Sequence, residues 1–441
     1  MLFNSPEFIL FLVAILFVVC ILNHEQTVGT RNVLLLLASY AFYGNLHALY
    51  PILLVYVTLV NYVGGVFIAA KKGARHRKII ISACVILSII PLGLLKYLPA
   101  YEPSLWLPVG LSFFTFQALT YSIDIYRRKY TPMPLLDVAL FVAFFPTLLS
   151  GPIERARNLL PQLQAKLPMT WDNLLMGSQY FLWGLFKKVV IADRLAQYVD
   201  QIYAVPGMHS GSTLALAALL YSFQIYCDFS GYATMALGVG RMLGIRLTDN
   251  FRYPYFASTI KEFWRRWHIS LTFWFTEYVY ISLGGNRVAA WRWVVNISVV
   301  FLLSGIWHGA TWAFVVWGGI HAVLYLLEHR AGVKTGNWLT GMLTFTGVTL
   351  AWIFFRIPHI GDAWSIICRI LTQPWGMPGM ASSAFSTLIT LAYLVLFLCV
   401  EWMFYRRWTI PSAIRYLGAV FIILSIGLFA VSNSQFVYFQ F

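Results

Sequence analysis

Residues 50–78 read YPILLVYVTLVNYVGGVFIAAKKGARHRK: twenty-one residues without a charge, then eight that carry five Lys or Arg. About 20 apolar residues in a helix cross the hydrocarbon of a bilayer. Basic clusters beside such spans stay on the cytoplasmic side. This one stretch therefore gives both a span and its direction. Similar runs recur at 8–22, 33–43, 79–97, 105–126, 135–149, 174–191, 213–240, 293–307, 312–327, 339–355, 384–405 and 416–431. Several are shorter than a full crossing and fit re-entrant arms. The expected fold is an all-α polytopic membrane protein.

The rest of the chain agrees. Only 11% of its 441 residues are charged while 60% are hydrophobic, too little charge to cover a water-soluble surface. The net charge of +15 would suggest nucleic acid in a soluble protein, but in a membrane protein it belongs to cytoplasmic loops. No nucleic-acid partner is expected. Membrane lipid is the solvent.

Tracing charge along the chain orients it. With 71–78 inside, the N-terminus is expected outside, and the nearly uncharged loop YLPAYEPSLWL (97–107) also lies outside. The run 105–126 returns to Arg127, Arg128 and Lys129, again inside. Arg406, Arg407 and Arg415 mark another cytoplasmic loop and send the C-terminal tail outward. The first run, 8–22, lacks a basic leader and a small-residue cleavage site and carries Glu7 at its head, so it reads as a span, not a signal peptide. Cys20, Cys84, Cys227, Cys368 and Cys399 are dispersed, without disulfide or metal spacing, and read as small core residues. No repeat or soluble linker divides the chain, which is expected to be one membrane domain: N-terminal helices in 1–130, a core in 131–330 and C-terminal helices in 331–441.

Two weakly hydrophobic stretches remain, 155–172 and 241–270. The second, RMLGIRLTDNFRYPYFASTIKEFWRRWHIS, mixes bases with aromatic rings as an interfacial or re-entrant helix pair would.

Ionisable groups at membrane depth are costly and are either functional or paired. His308, in SGIWHGATW, lies between two apolar runs and is flanked by Gly305 and Gly309, which let a backbone or a ligand approach. By burial alone it is either a hydrogen-bonded packing residue or a catalytic one. His268, in KEFWRRWHIS, is a base or donor kept neutral by Arg265 and Arg266, or an interfacial anchor. His321 and Glu328, about two turns apart, suit a helix–helix polar contact. No HExxH, CxxC or carboxylate cluster occurs, so no metal is expected. The glycines of GVGRMLG follow a membrane run, not a strand, which excludes a dinucleotide fold.

Five segments taken in order carry a resemblance. PVGLSFFTFQ (108–117), YCDFSGYATMALGVGRMLGI (226–245), NFRYPYFASTIKEFWRRWHISLTFW (250–274), YISLGGNR (280–287) and LLSGIWHGATWAFVVWGGIHA (302–322) resemble the membrane-bound O-acyltransferase (MBOAT) family. The likeness is to the bacterial branch of alginate and peptidoglycan O-acetyltransferase membrane subunits and the teichoic-acid D-alanyl transfer protein. It implies about 11–13 transmembrane or re-entrant helices around a tunnel, with His308 as the catalytic histidine and His268 as a second, supporting position. It brings in Asp228, Asn286 and Arg287 as substrate-binding candidates beside Arg265 and Arg266, although helix packing and loop shape account for the first three equally well.

The last residues, Phe436-Val437-Tyr438-Phe439-Gln440-Phe441, fit F-x-Y-x-x-F. In the D-alanylation system a similar motif ends a small partner peptide, which makes Tyr438 an acyl-relay candidate. An interfacial aromatic belt would use the same residues. The resemblance further implies acetyl-CoA as donor substrate with no bound cofactor, an extracytoplasmic acetyltransferase or esterase-like partner, and the bacterial inner membrane. A proton-coupled transporter or an export-complex scaffold is the rival class; a transporter would show repeat halves and midplane carboxylates, and neither stands out here.

Overall fold

The computed structural model describes residues 1–97, 108–379, 384–409 and 411–430. Among them every regular element is helical and no strand occurs, because backbone groups in lipid are satisfied within a helix without a neighbouring segment. Six helices are long and apolar enough to cross a membrane: Tyr50–Ala70, Ala74–Tyr97, Gly211–Met242, Ala290–His308, Trp338–Arg356 and the stretch Thr387–Tyr405; Pro6–Ile21 and Ala413–Phe429 are shorter apolar helices. The protein is an all-α polytopic membrane protein.

The expected runs became helices with small changes at their ends. The run 135–149 breaks at Phe144 into Leu135–Ala143 and Phe145–Leu148, because Pro146 lacks the N–H that would continue the first helix and its ring clashes with the preceding turn. The run 174–191 becomes Trp171–Phe186 continued by a π-helix, Lys187–Ala192. Two amphipathic helices, Asp193–Ala204 and Ile360–Thr372, were not expected.

By its contacts the chain falls into two compact units. One comprises Met1–Phe181 with Tyr232–Asp249, the other Leu182–Gly231 with Asn250 onward. The first is centred on a cluster of Phe3, Phe8, Phe42 and Phe145. Arg31, fully buried on Val28–Gly44, spends its guanidinium on the carbonyls of Leu163 and Ala165. Arg77 caps Leu111–Tyr126 through the carbonyls of Ile125 and Tyr126, where a cation also suits the negative end of the helix dipole.

The second unit holds both candidate histidines, His268 and His308. Its centre is the hairpin of Ala290–His308 and Trp312–Arg330, joined by three residues. A Cβ on Gly305 would stand 2.3 Å from the Phe314 carbonyl oxygen, and one on Gly318 would stand 2.4 Å from that of Phe301. Real Cβ atoms never come so close, so the two backbones approach only because both positions are glycine.

Candidate active site

His308 ends its helix and is 3% exposed. Its ring is enclosed edge-on by Trp317 and Phe355, each at 5.1 Å between centroids, with Trp307 at 4.7 Å. Gly309 then leaves the helix in extended backbone, and a Cβ there would fall 2.1 Å from the Phe314 ring. Both glycines beside His308 therefore make room for Phe314, not for a ligand. Their effect is to turn the chain sharply at the histidine.

His268 is reached by a different device. The helix Ile260–Arg266 is capped at its start by Thr259, whose hydroxyl accepts from Glu262 N–H at 3.1 Å, and by Glu328, whose carboxylate accepts from Ile260 N–H at 2.7 Å. After one turn and a half the chain swings through His268 in the left-handed region, φ 42°, ψ 53°. Such a conformation costs a non-glycine residue on the order of 1–3 kcal/mol and needs support. Asn250 supplies it: its carbonyl accepts from Ile269 N–H at 2.9 Å, and its side-chain oxygen accepts from Ser270 N–H at 3.1 Å and Ser270 Oγ–H at 2.9 Å. His268 Nδ1 in turn accepts from Leu271 N–H at 3.3 Å, which leaves the ring proton on Nε2. The turn thus selects a tautomer as well as a place.

The two histidines share a neighbour. Trp307 stands at 6.1 Å from the His268 ring and at 4.7 Å from the His308 ring, perpendicular to both within about 12°. Phe229 packs on His268 at 4.7 Å. Burial, not the adjacent arginines, sets the charge of His268: desolvation pushes its imidazole down to about 3. Arg265 is exposed, and Arg266 pairs with Glu262 and lies over Tyr405.

The other candidates fall elsewhere in this unit. Asp228 is 1% exposed and pairs with Lys188 at 2.7 Å; the same lysine pairs with Asp193 at 2.7 Å. Asn286 and Arg287 are exposed on a turn shaped by Gly284 and Gly285, both at positive φ, and pinned by Asn296 donating to the Gly285 carbonyl at 3.0 Å. His321 packs between Trp264 and Trp317 at 5.0 Å from each, while Glu328 serves the helix cap instead of meeting it. Tyr438 lies outside the described residues. Among those described, no group of His, Cys, Asp and Glu could hold a metal ion.

Sequence reasoning missed Asn250, Lys188 and Asp193, and gave Glu328 a different partner. The signal for Lys188 was present, since paired lysines inside the apolar run 174–191 are costly unless satisfied.

Chemically, the arrangement offers a buried imidazole at a helix end, a second neutral imidazole nearby, and walls of aromatic carbon that exclude water. The family model described as MBOAT, membrane-bound O-acyltransferase family, matches residues 75–354. The chain is 36% identical to the probable alginate O-acetylase of Pseudomonas aeruginosa over 90% of its own length and 81% of that protein. It is 32% identical to the peptidoglycan O-acetyltransferase of Helicobacter pylori, covering 83% of the chain and 79% of that protein, and 29% identical to the teichoic acid D-alanyltransferase of Bacillus subtilis, covering 66% and 78%. The chain belongs to the membrane-bound O-acyltransferase family.

Proposed function

We propose that the protein takes an acetyl group from cytoplasmic acetyl-CoA and passes it across the membrane for O-acetylation of an extracytoplasmic polysaccharide. The observation that carries this reading is His308, buried at a helix end in a family of O-acyltransferases whose similar members are named for acetylating alginate and peptidoglycan. The thioester carbonyl comes to rest beside His308. The imidazole takes the proton of an attacking hydroxyl, and the hydroxyl oxygen bonds to the carbonyl carbon. The tetrahedral adduct then collapses, the carbon–sulfur bond breaks, and the CoA thiolate leaves with the proton from His308. Neutral His268 donates through Nε2 to the oxygen that gains charge in the adduct.

The attacking hydroxyl in this reading is that of Tyr438, entering from the outer face on an extracytoplasmic tail. The acetyl-tyrosine is unloaded by an extracytoplasmic acetyltransferase or esterase-like partner, which delivers the group to the glycan. Lys261, Arg265, Arg266 and Arg287 bind the CoA phosphates, with Asn286 on the same turn as Arg287 and Asp228 held in the core by Lys188. The setting is the bacterial inner membrane.

The test is His308→Gln, which keeps a polar side chain of similar reach. Expected is a loss of at least about a hundredfold in acetyl transfer to the polymer, as for removal of a general base, with the amount of membrane-inserted protein unchanged. Acetylation at the wild-type level in that variant refutes the mechanism.

A further inference from the structure

A second chamber in the unit that carries the histidines has no part in this chemistry. It is a cavity of about 330 Å³ opening beside the first turns of Trp338–Arg356 and the last turns of Ala384–Tyr405, walled by Phe223, Tyr226, Tyr253, Tyr255 and Phe345. One lining residue is charged. Glu401 is 5% exposed and accepts a hydrogen bond from Tyr226 Oη–H at 2.7 Å through Oε2. Its other oxygen, Oε1, has no hydrogen-bond partner among the described residues, and no lysine or arginine there forms an ion pair with it. Lys187, which interacts electrostatically with Glu401, gives its hydrogen bonds to the carbonyl and hydroxyl of Ser230 at 3.2 Å.

Aromatic faces around one carboxylate recognise an organic ammonium group, which gains from ring quadrupoles and opposite charge together. A hydrocarbon tail would leave Oε1 of that carboxylate without a donor. The rim has the other sign. Arg266 lies 5.2 Å over the Tyr405 ring and donates to the Tyr253 carbonyl, and Arg406 lies 5.6 Å over Trp402; Tyr405 and Trp402 both pack on Phe256 at the pocket wall. A cation inside and an anion at the mouth describe a zwitterion. Trp267, with Trp352 at 4.9 Å, stands between the chamber rings Tyr226 and Tyr255 and the catalytic aromatic wall, so the chamber is separate from the histidines.

We propose that this chamber binds the headgroup of an aminophospholipid, its ammonium against Glu401 and its phosphate at Arg406. Arg406 belongs to the loop that the charge pattern assigns to the cytoplasm, so the lipid comes from the inner leaflet. The assignment does not depend on the acetyl-transfer reading.

The test uses the full chain, purified in detergent and stripped of lipid, with thermal unfolding read on adding lipid. Phosphatidylethanolamine should raise the unfolding midpoint by several degrees, and phosphatidylglycerol with the same chains should not. Glu401→Gln, which retains the bond from Tyr226, should lose the shift, while its lipid-free midpoint and gel-filtration profile report whether it folds. Phe256→Leu keeps the apolar bulk and should weaken apparent lipid affinity about tenfold. Equal stabilisation by phosphatidylglycerol, or a shift that survives Glu401→Gln, overturns the proposal. A full shift from tetramethylammonium chloride alone overturns the lipid headgroup in favour of a free alkylammonium.

Discussion

His268 shows how one residue's conformation and charge state come from the same surroundings. The left-handed turn, held by Asn250 and Ser270, carries the ring into an apolar interior, and that interior keeps it neutral. Folding lowers its pKa from the ordinary 6.5 to about 3. A lowered pKa adds stability above 6.5 that is lost as pH falls from 6.5 toward 3, with a limiting slope of about 1.4 kcal/mol per pH unit. His268→Asn keeps a capping oxygen and tolerates positive φ but takes up no proton. Unfolding midpoints measured between pH 7.5 and pH 5 should therefore fall more steeply for the wild type than for this variant; parallel curves would sink the burial argument. Both histidines were visible in the sequence because an imidazole inside or beside apolar runs is rare and costly. The reason for His268's neutrality was not visible, since the adjacent arginines turn outward and the burying rings come from distant segments such as Phe229 and Trp307. Asn250 and Glu328 stayed hidden for a related cause: each acts on backbone 19 or more residues away, and nothing local marks a cap supplied from another helix.

At the scale of elements, the apolar runs predicted most helices because lipid demands length and hydropathy together, and both can be read along the chain. Asp193–Ala204 and Ile360–Thr372 escaped because polar residues interrupt the apolar run in each. The π-helix Lys187–Ala192 escaped because its register depends on Lys188 reaching Asp228, forty residues on. The glycines of LLSGIWHGATWAFVVWGGIHA were correctly singled out for close approach, but what approaches is the facing helix. The hairpin makes a sharp demand in consequence. In Gly305→Ala the new methyl meets the Phe314 carbonyl, a backbone atom that cannot turn away, so the helices must part and His308 must shift. A displacement on the order of 1 Å at a catalytic group costs about a hundredfold in rate, and overpacking costs about 1–3 kcal/mol of stability. Gly319→Ala, whose methyl meets nothing nearer than Leu302 at 4.0 Å, is the matched control. Acetyl transfer and unfolding midpoints of the two variants should differ in that order, and equal behaviour would mean that the hairpin does not place the histidine.

For the whole molecule the argument is about direction. Donor and acceptor occupy opposite sides of the bilayer in the proposed reaction, so the acetyl group needs a carrier between His308 and the glycan. The sequence alone supplies a candidate, because the chain ends in F-x-Y-x-x-F on a tail that loop charges send outward. A covalent relay and a direct transfer separate cleanly in Tyr438→Phe, which keeps the ring of an interfacial anchor and loses only the nucleophilic oxygen. Under the relay, this variant produces no acetylated polymer while remaining folded in the membrane. Wild-type protein incubated with isotopically labelled acetyl-CoA, without its partner, gathers label in the C-terminal peptide, and His308→Gln prevents that labelling. Under direct transfer, polymer acetylation continues in Tyr438→Phe and the peptide stays unlabelled. Labelling that persists without His308 would place the first chemical step elsewhere in the chain, and the directional reading would then lose its centre.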